Sequence, residues 1–121
     1  MTAHEVRPWG TFLVLIDEPT HKVKTITVKA GHRLSLQSHK YRDERWIHVS
    51  GEGIVTLGFV EMPELTQRPF DEVQHAVFIP KRTIHRVEAG PHQDLIFIEV
   101  QVGTYFGEDD IIRYEDDYGR K

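Results

Sequence analysis

Short segments rich in β-branched and aromatic residues recur along the chain, roughly ten residues apart. They cover residues 11–16, 23–29, 33–39, 45–50, 53–59, 75–79, 85–88 and 95–102. Turn-forming residues such as Gly31, Pro80 and Pro91 separate them, and no segment with a long helical period lies between them. The pattern predicts an all-β fold, an antiparallel sandwich or barrel. From about Gly107 onward we expect a short helical or extended tail.

Two neighbouring segments each carry a row of polar residues on one face. Gln37 and His39 alternate along the first, and Glu44 and His48 alternate along the next. Because alternate residues of a strand point to opposite faces, a small barrel can gather one such set around a cavity. We therefore expect the two rows to face a common interior, with His85 joining them from the start of a later strand.

Gln37, His39, Glu44 and His85 together offer one amide oxygen, two imidazole nitrogens and one carboxylate. Such a mixed set of nitrogen and oxygen donors suits Zn, Mn, Fe, Co or Ni and leaves coordination positions open for water or a substrate. We therefore predict that these four side chains bind one divalent metal ion. Zinc is the first choice, although the donor set does not select among these metals.

The composition supports one compact domain. With 121 residues, of which 39% are hydrophobic, the chain suffices for one core and is too short for two. We therefore expect residues 1–121 to form a single domain. The absence of Cys excludes disulfides and thiolate metal ligands, which leaves histidines, carboxylates and amides as candidate ligands.

The charge pattern narrows the expected partners. The net charge is −4, and six carboxylates lie between positions 108 and 117, so the rest of the chain is about neutral and lacks a basic stripe. We expect no nucleic-acid partner, because such partners require a concentrated positive surface. No apolar run approaches the roughly 20 residues of a membrane span, and the first residues lack the apolar stretch of a signal peptide. We expect no membrane partner and a cytoplasmic location.

Residues 31–51 and 80–89 resemble the two sequence motifs of the cupins. Five residues separate Gly31 from Gln37 and six separate Glu44 from Gly51, as in the first motif, although Gln37 stands where most cupins have His. In the second motif, Arg82 replaces the usual Gly. The resemblance implies a single-domain cupin fold, the double-stranded β-helix or jelly-roll barrel, with metal ligands at the four positions named above.

A narrower resemblance covers nearly the whole chain and rests on four motifs in order. They are RPWG at 7–10, RLSLQSH at 33–39 followed by Arg42, Glu44 and Trp46, IP through HR at 79–86, and IEVQVG through DYGR at 98–120. These motifs resemble the type II mannose-6-phosphate isomerase cupin domain. In many members that domain is the C-terminal half of a bifunctional mannose-6-phosphate isomerase and mannose-1-phosphate guanylyltransferase. We expect this chain to be a stand-alone form of the domain.

The resemblance implies a metal-dependent isomerase that interconverts mannose 6-phosphate and fructose 6-phosphate in mannose and polysaccharide metabolism. The reaction moves a proton between C1 and C2, so it needs a metal ion to polarise the carbonyl and a base to carry the proton. Glu99 is a candidate base, because a carboxylate among apolar neighbours has a raised pKa. The alternative for Glu99 is pairing with an arginine. Lys24 either reaches into the cavity or lies at its rim.

Other candidate residues carry open alternatives. His48 either lines the cavity, where it could act as a catalytic proton carrier, or forms a hydrogen bond at the end of the barrel. Arg42, Arg86 and Arg113 are candidates for binding the substrate phosphate, since a guanidinium matches paired phosphate oxygens. Arg42 is favoured because it lies inside the matched motif.

Two other functions remain open. One is a non-catalytic sugar-phosphate-binding cupin module, and the other is a different metal-dependent cupin enzyme, such as a dioxygenase. We also expect a homodimer, because a second copy would cover exposed edge strands and a shallow cavity. The tail should pack back onto the barrel or the partner, with its acidic residues facing outward, through Ile111, Ile112, Tyr114 and Tyr118.

Overall fold

The computed structural model describes residues 4–59 and 64–120, and these confirm the all-β prediction. They form eleven strands: β1 (Glu5–Arg7), β2 (Gly10–Asp17), β3 (His21–Val28), β4 (Leu36–Ser38), β5 (Arg42–Ser50), β6 (Gly53–Phe59), β7 (Thr66–Phe70), β8 (Ala76–Ile79), β9 (Thr83–Ala89), β10 (Leu95–Gly103) and β11 (Ile112–Glu115). The described residues include no helix that is long and apolar enough to cross a membrane.

The strands form two antiparallel sheets that pack face to face. One has six strands in the order β1-β2-β3-β10-β5-β8, and the other has five in the order β11-β4-β9-β6-β7. Phe70 of the second sheet contacts Trp46 and Phe97 of the first, with ring centroids 6.1 and 5.4 Å apart. Several neighbours, such as β3 and β10, are far apart in the sequence, so most of the barrel depends on long-range pairing.

The inward-facing row of β10 changes from apolar to polar along its length. Its buried residues are, in order, Leu95, Phe97, Glu99 and Gln101. The neighbouring β5 pairs Trp46 with Glu99 and Glu44 with Gln101. The polar parts of the two rows therefore lie side by side, and they open a polar cavity in one part of an otherwise apolar interior.

The apolar core fills the remaining space between the sheets. It comprises Trp9, Phe12, Ile26, Val28, Trp46, Val55, Phe70, Val77, Ile79, Val87, Ala89, Leu95 and Phe97. Trp46 lies at the boundary between core and cavity, since its ring packs on Phe97 while its Nε1 donates to the Glu44 carboxylate. Burying one large apolar side chain stabilises the fold by roughly 1.5–3 kcal/mol. The burial of the core residues can therefore offset the cost of burying the polar groups beside them.

Every predicted strand overlaps an observed one, and the largest difference is at 33–39. Only Leu36–Ser38 is a strand there, while Arg33 forms an isolated bridge with Glu88. The chain before β4 is held by single backbone hydrogen bonds, such as the one from the Leu34 amide to the Val87 carbonyl at 3.1 Å. The hydrophobic pattern misses β1 and β7, because these edge strands are mostly exposed and lack an apolar face.

Two turns beside the cupin-like motifs have left-handed backbone. Gly51 has φ +85°, and a Cβ there would lie 2.1 Å from the carbonyl oxygen of Asp94, so a larger residue does not fit. Arg82 has φ +66° in the turn before β9, where the cupin motif usually has Gly. Its amide donates to the carbonyl of His39 over 2.7 Å. Arg82 therefore adopts the conformation that glycine favours, at a cost of roughly 1–2 kcal/mol.

The C-terminal tail is extended, which is one of its two expected forms. Its strand β11 pairs with β4, and Tyr118 packs against the core. Ile112 and Tyr114 are 58% and 42% exposed, so they are not buried against the barrel, and their expected packing onto a partner stays a prediction. Strand alternation explains their exposure: Arg113, between them, lines the cavity, so its two neighbours face outward.

The expectation that the acidic residues of the tail face outward is wrong for Asp110, which is buried. Its carboxylate accepts hydrogen bonds from the backbone amides of Lys40 and Tyr41 at 2.9 and 3.0 Å. Its carbonyl oxygen accepts a hydrogen bond from Nδ1 of His39 at 2.7 Å. Asp110 thus joins the tail to the turn that carries His39.

We predict that Asp110→Ala lowers the free energy of unfolding by about 1–3 kcal/mol, because two partly buried backbone amides lose their acceptor. Chemical denaturation followed by circular dichroism measures the change. Asp109→Ala is the matched control, since Asp109 is exposed and its loss should change stability by less than about 0.5 kcal/mol. Equal losses in the two variants would contradict this role of Asp110.

Candidate metal centre and cavity

A cavity lies where the polar parts of the inward-facing rows meet. Its inner lining comprises Gln37, His39, Glu44, Trp46, His85 and Glu99. Strands β4, β5, β9 and β10 supply these residues, except His39, which directly follows β4. The structure therefore brings together the four residues that the sequence indicates as metal ligands.

The carboxylate of Glu44 lies at the centre of this group and is 2% exposed. Its Oε2 accepts a hydrogen bond from Nε of Arg42 at 2.8 Å and lies 3.4 Å from Nε2 of His39. Its Oε1 accepts a hydrogen bond from Nε1 of Trp46 at 3.1 Å and lies 3.9 Å from Nε2 of His85. Burial would raise the pKa of Glu44, but the positive charge of Arg42 and the hydrogen bond from Trp46 act in the opposite direction, and the pKa lies well below its usual range.

Both histidines point Nε2 toward Glu44, because backbone carbonyls hold the other ring nitrogen. Nδ1 of His39 donates to the carbonyl of Asp110 at 2.7 Å, and Nδ1 of His85 donates to the carbonyl of Thr83 at 2.9 Å. Since a carbonyl can only accept, Nδ1 carries a proton in each ring. Burial lowers the pKa of both rings, that of His85 to about 4, so each ring is neutral at pH 7 and its Nε2 has a lone pair.

Three groups with free lone pairs therefore converge, and none of them carries a hydrogen that it could donate to the others. The ligand atoms of His39, Glu44 and His85 all lie within 4.8 Å of one another. Two groups that both carry lone pairs are stable at such distances when a cation or a donor lies between them. The hydrogen-bonded Nδ1 atoms match the usual arrangement of metal-binding histidines, in which a second partner orients the ring. These residues fit a divalent metal ion, and they do not identify which one.

Gln37 lies beside this group, paired with His85 across β4 and β9. Its Nε2 donates to the carbonyl and the hydroxyl of Ser35 at 3.3 and 3.0 Å. These contacts use the nitrogen end of the amide. The amide oxygen of Gln37 is therefore the atom that could bind a cation, as the predicted set of four metal ligands requires.

Arg42 supplies the positive charge beside Glu44 in this structure. While its Nε donates to Glu44, its Nη2 lies 3.2 Å from Nε2 of His39. The guanidinium thus contacts two of the acceptors that a metal ion would use. Arg42 is 7% exposed, so its guanidinium lies inside the cavity against the candidate metal group.

Glu99 and Lys24 form part of the cavity wall as register partners on β10 and β3. Nε2 of Gln101 donates to the Glu99 carboxylate. Burial and the nearby Glu44 raise the pKa of Glu99 to about 7, although the positive charge of Lys24 opposes this. Lys24 is 6% exposed and its Nζ lies 4.1 Å from the centre of the Phe12 ring. Its Nζ also lies 3.7 Å from an oxygen of the exposed Glu108, so Lys24 lines the cavity with its charged end at the rim and combines the two alternatives.

His48 does not line this cavity. It shares the inward face of β5 with Glu44, but it lies four positions further along, about 13 Å on a strand, and Trp46 lies between them. Its Nε2 donates to the carbonyl of Gly51, and its ring packs on Phe70 with centroids 5.6 Å apart. The structure thus favours the hydrogen-bonding alternative over proton transfer for His48, because strand alternation determines a face and not a position along it.

Arg86 lies on the opposite face of its sheet from the cavity. It follows His85 in β9, and since His85 faces the cavity, its neighbour faces away. Its Nε donates to the carbonyl of Leu34 at 2.9 Å, and its Nη1 donates to Glu115 at 3.1 Å. This position does not suit the expected contact with a substrate phosphate. Arg86 instead joins the tail to the sheet.

The mouth of the cavity carries charged residues to which sequence reasoning assigned no role in the site. These are Arg7 of β1 and Glu108 of the loop after β10. Arg113 of β11, which the sequence offered as a candidate for binding a phosphate, lines the cavity with them. Arg7 and Glu108 both belong to the motifs quoted above, and that membership is the signal that could have identified them. Their proximity depends on how the two ends of the chain meet.

The chain matches the protein family described as "Mannose-6-phosphate isomerase C-terminal" over residues 1–116. Over 114 residues it is 45% identical to the xanthan biosynthesis protein XanB of Xanthomonas campestris and 44% identical to the alginate biosynthesis protein AlgA of Pseudomonas aeruginosa. It is 40% identical to a mannose-1-phosphate guanylyltransferase of Klebsiella pneumoniae. Each alignment covers 94% of this chain and 22% or 23% of the relative, so the chain spans less than a quarter of their length.

Solved structures confirm the cupin fold. The capsular polysaccharide assembling protein CapF of Staphylococcus aureus has a TM-score of 0.82 at 23% identity, over 95% of this chain and 34% of that one. Oxalate decarboxylase of Bacillus subtilis has a TM-score of 0.79 at 17% identity, over 93% of this chain and 30% of that one. Both are cupins, and at these identities the likeness concerns the fold alone.

We predict that the double variant His39→Ala, His85→Ala loses at least about 100-fold in zinc affinity, because losing only an outer partner of a ligand typically costs 10- to 100-fold. Calorimetric titration and elemental analysis of the dialysed protein measure this. His92→Ala is the matched control, since His92 is exposed in a turn. Full zinc occupancy in a folded double variant would rule out this site.

Proposed function

The chain belongs to the mannose-6-phosphate isomerase C-terminal family, and we propose that it is a metal-dependent isomerase that interconverts mannose 6-phosphate and fructose 6-phosphate. Relatives named for xanthan and alginate biosynthesis support a role in mannose and polysaccharide metabolism, which we place in the cytoplasm. The observation that carries the proposal is a single cavity with both a group that could bind a metal and a buried carboxylate whose pKa is about 7.

Gln37, His39, Glu44 and His85 are the proposed metal ligands. When bound, the ion would polarise the carbonyl oxygen of the sugar and stabilise the negative charge that develops on it. Among the four ligands only Glu44 is charged, so the group would leave the ion a net positive charge. The backbone contacts of both imidazoles hold the ligands in place before substrate enters.

Glu99 is the proposed base. Its ionised form accepts the proton from C2 of mannose 6-phosphate, and the electron pair of that C–H bond forms the C1–C2 double bond of an enediol. The protonated form then returns the proton to C1. Over the whole reaction, a second proton moves from the oxygen on C2 to the oxygen on C1, so no further reactant is needed. A pKa of about 7 allows Glu99 to act as both acceptor and donor near neutral pH.

Two neighbours support Glu99 in this role. Gln101 is buried and donates to its carboxylate, which limits the orientations that the carboxylate can adopt. Lys24, opposite Glu99 in the sheet, opposes the rise in its pKa. Together they keep an ionised fraction of Glu99 in the cavity at neutral pH.

A second function, a non-catalytic sugar-phosphate-binding module, has one observation in its favour. The guanidinium of Arg42 contacts Glu44 and His39 and thereby neutralises the group without a metal ion. A cavity maintained in this way could bind a sugar phosphate and lack the Lewis acid that turnover requires.

We predict that the chain loaded with Zn, Mn, Fe, Co or Ni interconverts the two sugar phosphates, and that Glu99→Gln lowers kcat by about 10²- to 10⁴-fold, as expected for a general base. In D₂O the unsubstituted protein should incorporate deuterium at C1 of fructose 6-phosphate, and the variant should not. NMR spectroscopy measures both. Glu52→Gln is the matched control, because Glu52 is exposed and should leave turnover unchanged.

The same experiment separates the competing functions. Binding of mannose 6-phosphate without turnover under every metal would establish the binding module in place of the isomerase. Oxygen consumption that requires iron would indicate another metal-dependent cupin enzyme, such as a dioxygenase. Turnover that survives Glu99→Gln at an unchanged rate would assign the base to another residue.

For the homodimer, we propose that a second copy covers the outer face of the six-stranded sheet. Ile47, Val49 and Phe78 on β5 and β8 are 42%, 52% and 49% exposed, and Val102 on β10 is 38% exposed. These exposed apolar side chains lie on the same outer face of three adjacent strands, and a second copy would remove them from water. Two-fold pairing of one face would cover it in both copies.

We predict that Ile47→Asp and Phe78→Asp each convert a dimer to a monomer, because each places a charge in the proposed interface. Sedimentation velocity measures the oligomeric state. Ile54→Asp is the control: Ile54 is 40% exposed, lies on β6 of the five-stranded sheet, and should not change the state. A monomeric unsubstituted protein at micromolar concentration would overturn the proposal.

A further inference from the structure

Basic side chains from distant parts of the chain meet at the mouth of the cavity. Arg7 comes from β1, Lys24 from β3 and Arg113 from β11, and all three line the cavity. They are not among the proposed metal ligands. Of the described residues that line the mouth, Glu108 supplies a carboxylate close to this group.

Arg7 and Lys24 share the same two neighbours. The guanidinium of Arg7 and Nζ of Lys24 lie 4.9 and 4.1 Å from the centre of the Phe12 ring. They also lie 3.9 and 3.7 Å from the same oxygen of Glu108. Both distances exceed an ordinary hydrogen bond, and the Glu108 side chain is 65% exposed. Glu108 is therefore a weakly held anion between two cations.

Arg113 brings a third positive charge toward the same place. In the pairing of β11 with β4 it lies opposite Gln37, one of the proposed metal ligands. Burial is the main cause that lowers the pKa of Arg113; the charges of Arg120 and Arg7 add to this effect, and those of Asp116 and Glu108 oppose it. Both Arg7 and Glu108 therefore lie close enough to Arg113 to act on its charge. Arg120 itself is engaged by both carboxylate oxygens of Asp116 at 2.8 and 3.0 Å.

We propose that Arg7, Lys24 and Arg113 form a subsite for the phosphate group of a phosphate monoester, and that the Glu108 carboxylate holds this place until the phosphate displaces it. The proposal rests on the proposed function for the identity of the ligand as a sugar phosphate. It moves the phosphate from Arg42 and Arg86 to residues at the mouth. A phosphate monoester carries a charge of about −1.5 to −2 near pH 7, so cationic side chains on adjacent parts of the cavity wall would attract it.

The position of this subsite suits a six-carbon sugar phosphate. The substrate carries its phosphate at the end of the carbon chain opposite to the reacting carbons. A phosphate held at the mouth would keep contact with water, which limits the cost of removing its hydration. The reacting end would then extend inward, along Lys24 toward Glu99 on one wall and along Arg113 toward Gln37 on the other.

Calorimetric titration of the metal-loaded protein with mannose 6-phosphate, and separately with inorganic phosphate, tests the subsite. Arg7→Gln and Arg113→Gln should each weaken both probes by about 10- to 100-fold, since each removes a charge-assisted contact. Arg68→Gln is the matched control, because Arg68 is exposed on β7, and it should change affinity by less than twofold. Circular dichroism verifies that each variant is folded.

Glu108→Gln provides a test in the opposite direction, in which loss of folding cannot imitate the result. Removing the competing charge should tighten both probes by about two- to fivefold, the range expected for an exposed ion pair. Unchanged or weaker binding would overturn the role assigned to Glu108.

The outcomes distinguish this subsite from the proposed function. If the protein isomerises mannose 6-phosphate and Arg7→Gln and Arg113→Gln leave its KM and affinity unchanged, the subsite is wrong and the isomerase stands. If both variants weaken binding and no metal supports turnover, the subsite stands and the isomerase is wrong. Losses confined to mannose 6-phosphate, with inorganic phosphate unaffected, would show that the arginines contact the sugar and would overturn the phosphate assignment.

Discussion

The burial of one carboxylate, that of Glu44, determines the arrangement of the site. A buried charge is costly unless it is paired and hydrogen-bonded, and Glu44 is 2% exposed. Arg42 and Trp46 donate to its two oxygens, and the lone pairs of two histidines face it. The same arrangement that makes this carboxylate stable leaves three acceptor groups close enough to share a cation. Stability and the proposed chemistry therefore depend on the same contacts.

The barrel can hold such a group because its interior is divided. Trp46 and Phe97 close the apolar core on one side, and Glu44, Glu99 and Gln101 line the polar side. The register of β5 with β10 places these polar residues side by side, and their shared burial keeps Glu99 protonated more readily than a carboxylate in water. The polar parts of the inward-facing rows of β5 and β10 lie side by side. This one feature thus produces both the candidate metal group and the candidate base.

The ends of the chain complete the cavity. Through Asp110 the tail orients His39, and through Arg113 it contributes to the mouth opposite Arg7 of the first strand. The hydrogen bond between His39 and Asp110 joins residues 71 positions apart, so the tail is part of the site and not an appendage. This explains why the resemblance to the family continues beyond the last long strand.

The sequence by itself determined the all-β fold and indicated His39, Glu44 and His85, which the structure brings together, because strand alternation and motif spacing are local properties that assign side chains to a face. Only the tertiary structure decided the rest. It moved His48 away from the cavity and Arg86 to the outer face, and it brought Arg7 and Glu108 together at the mouth. Position along a strand, strand register and the meeting of distant segments depend on pairing between residues far apart in the chain, and local periodicity contains no information about them.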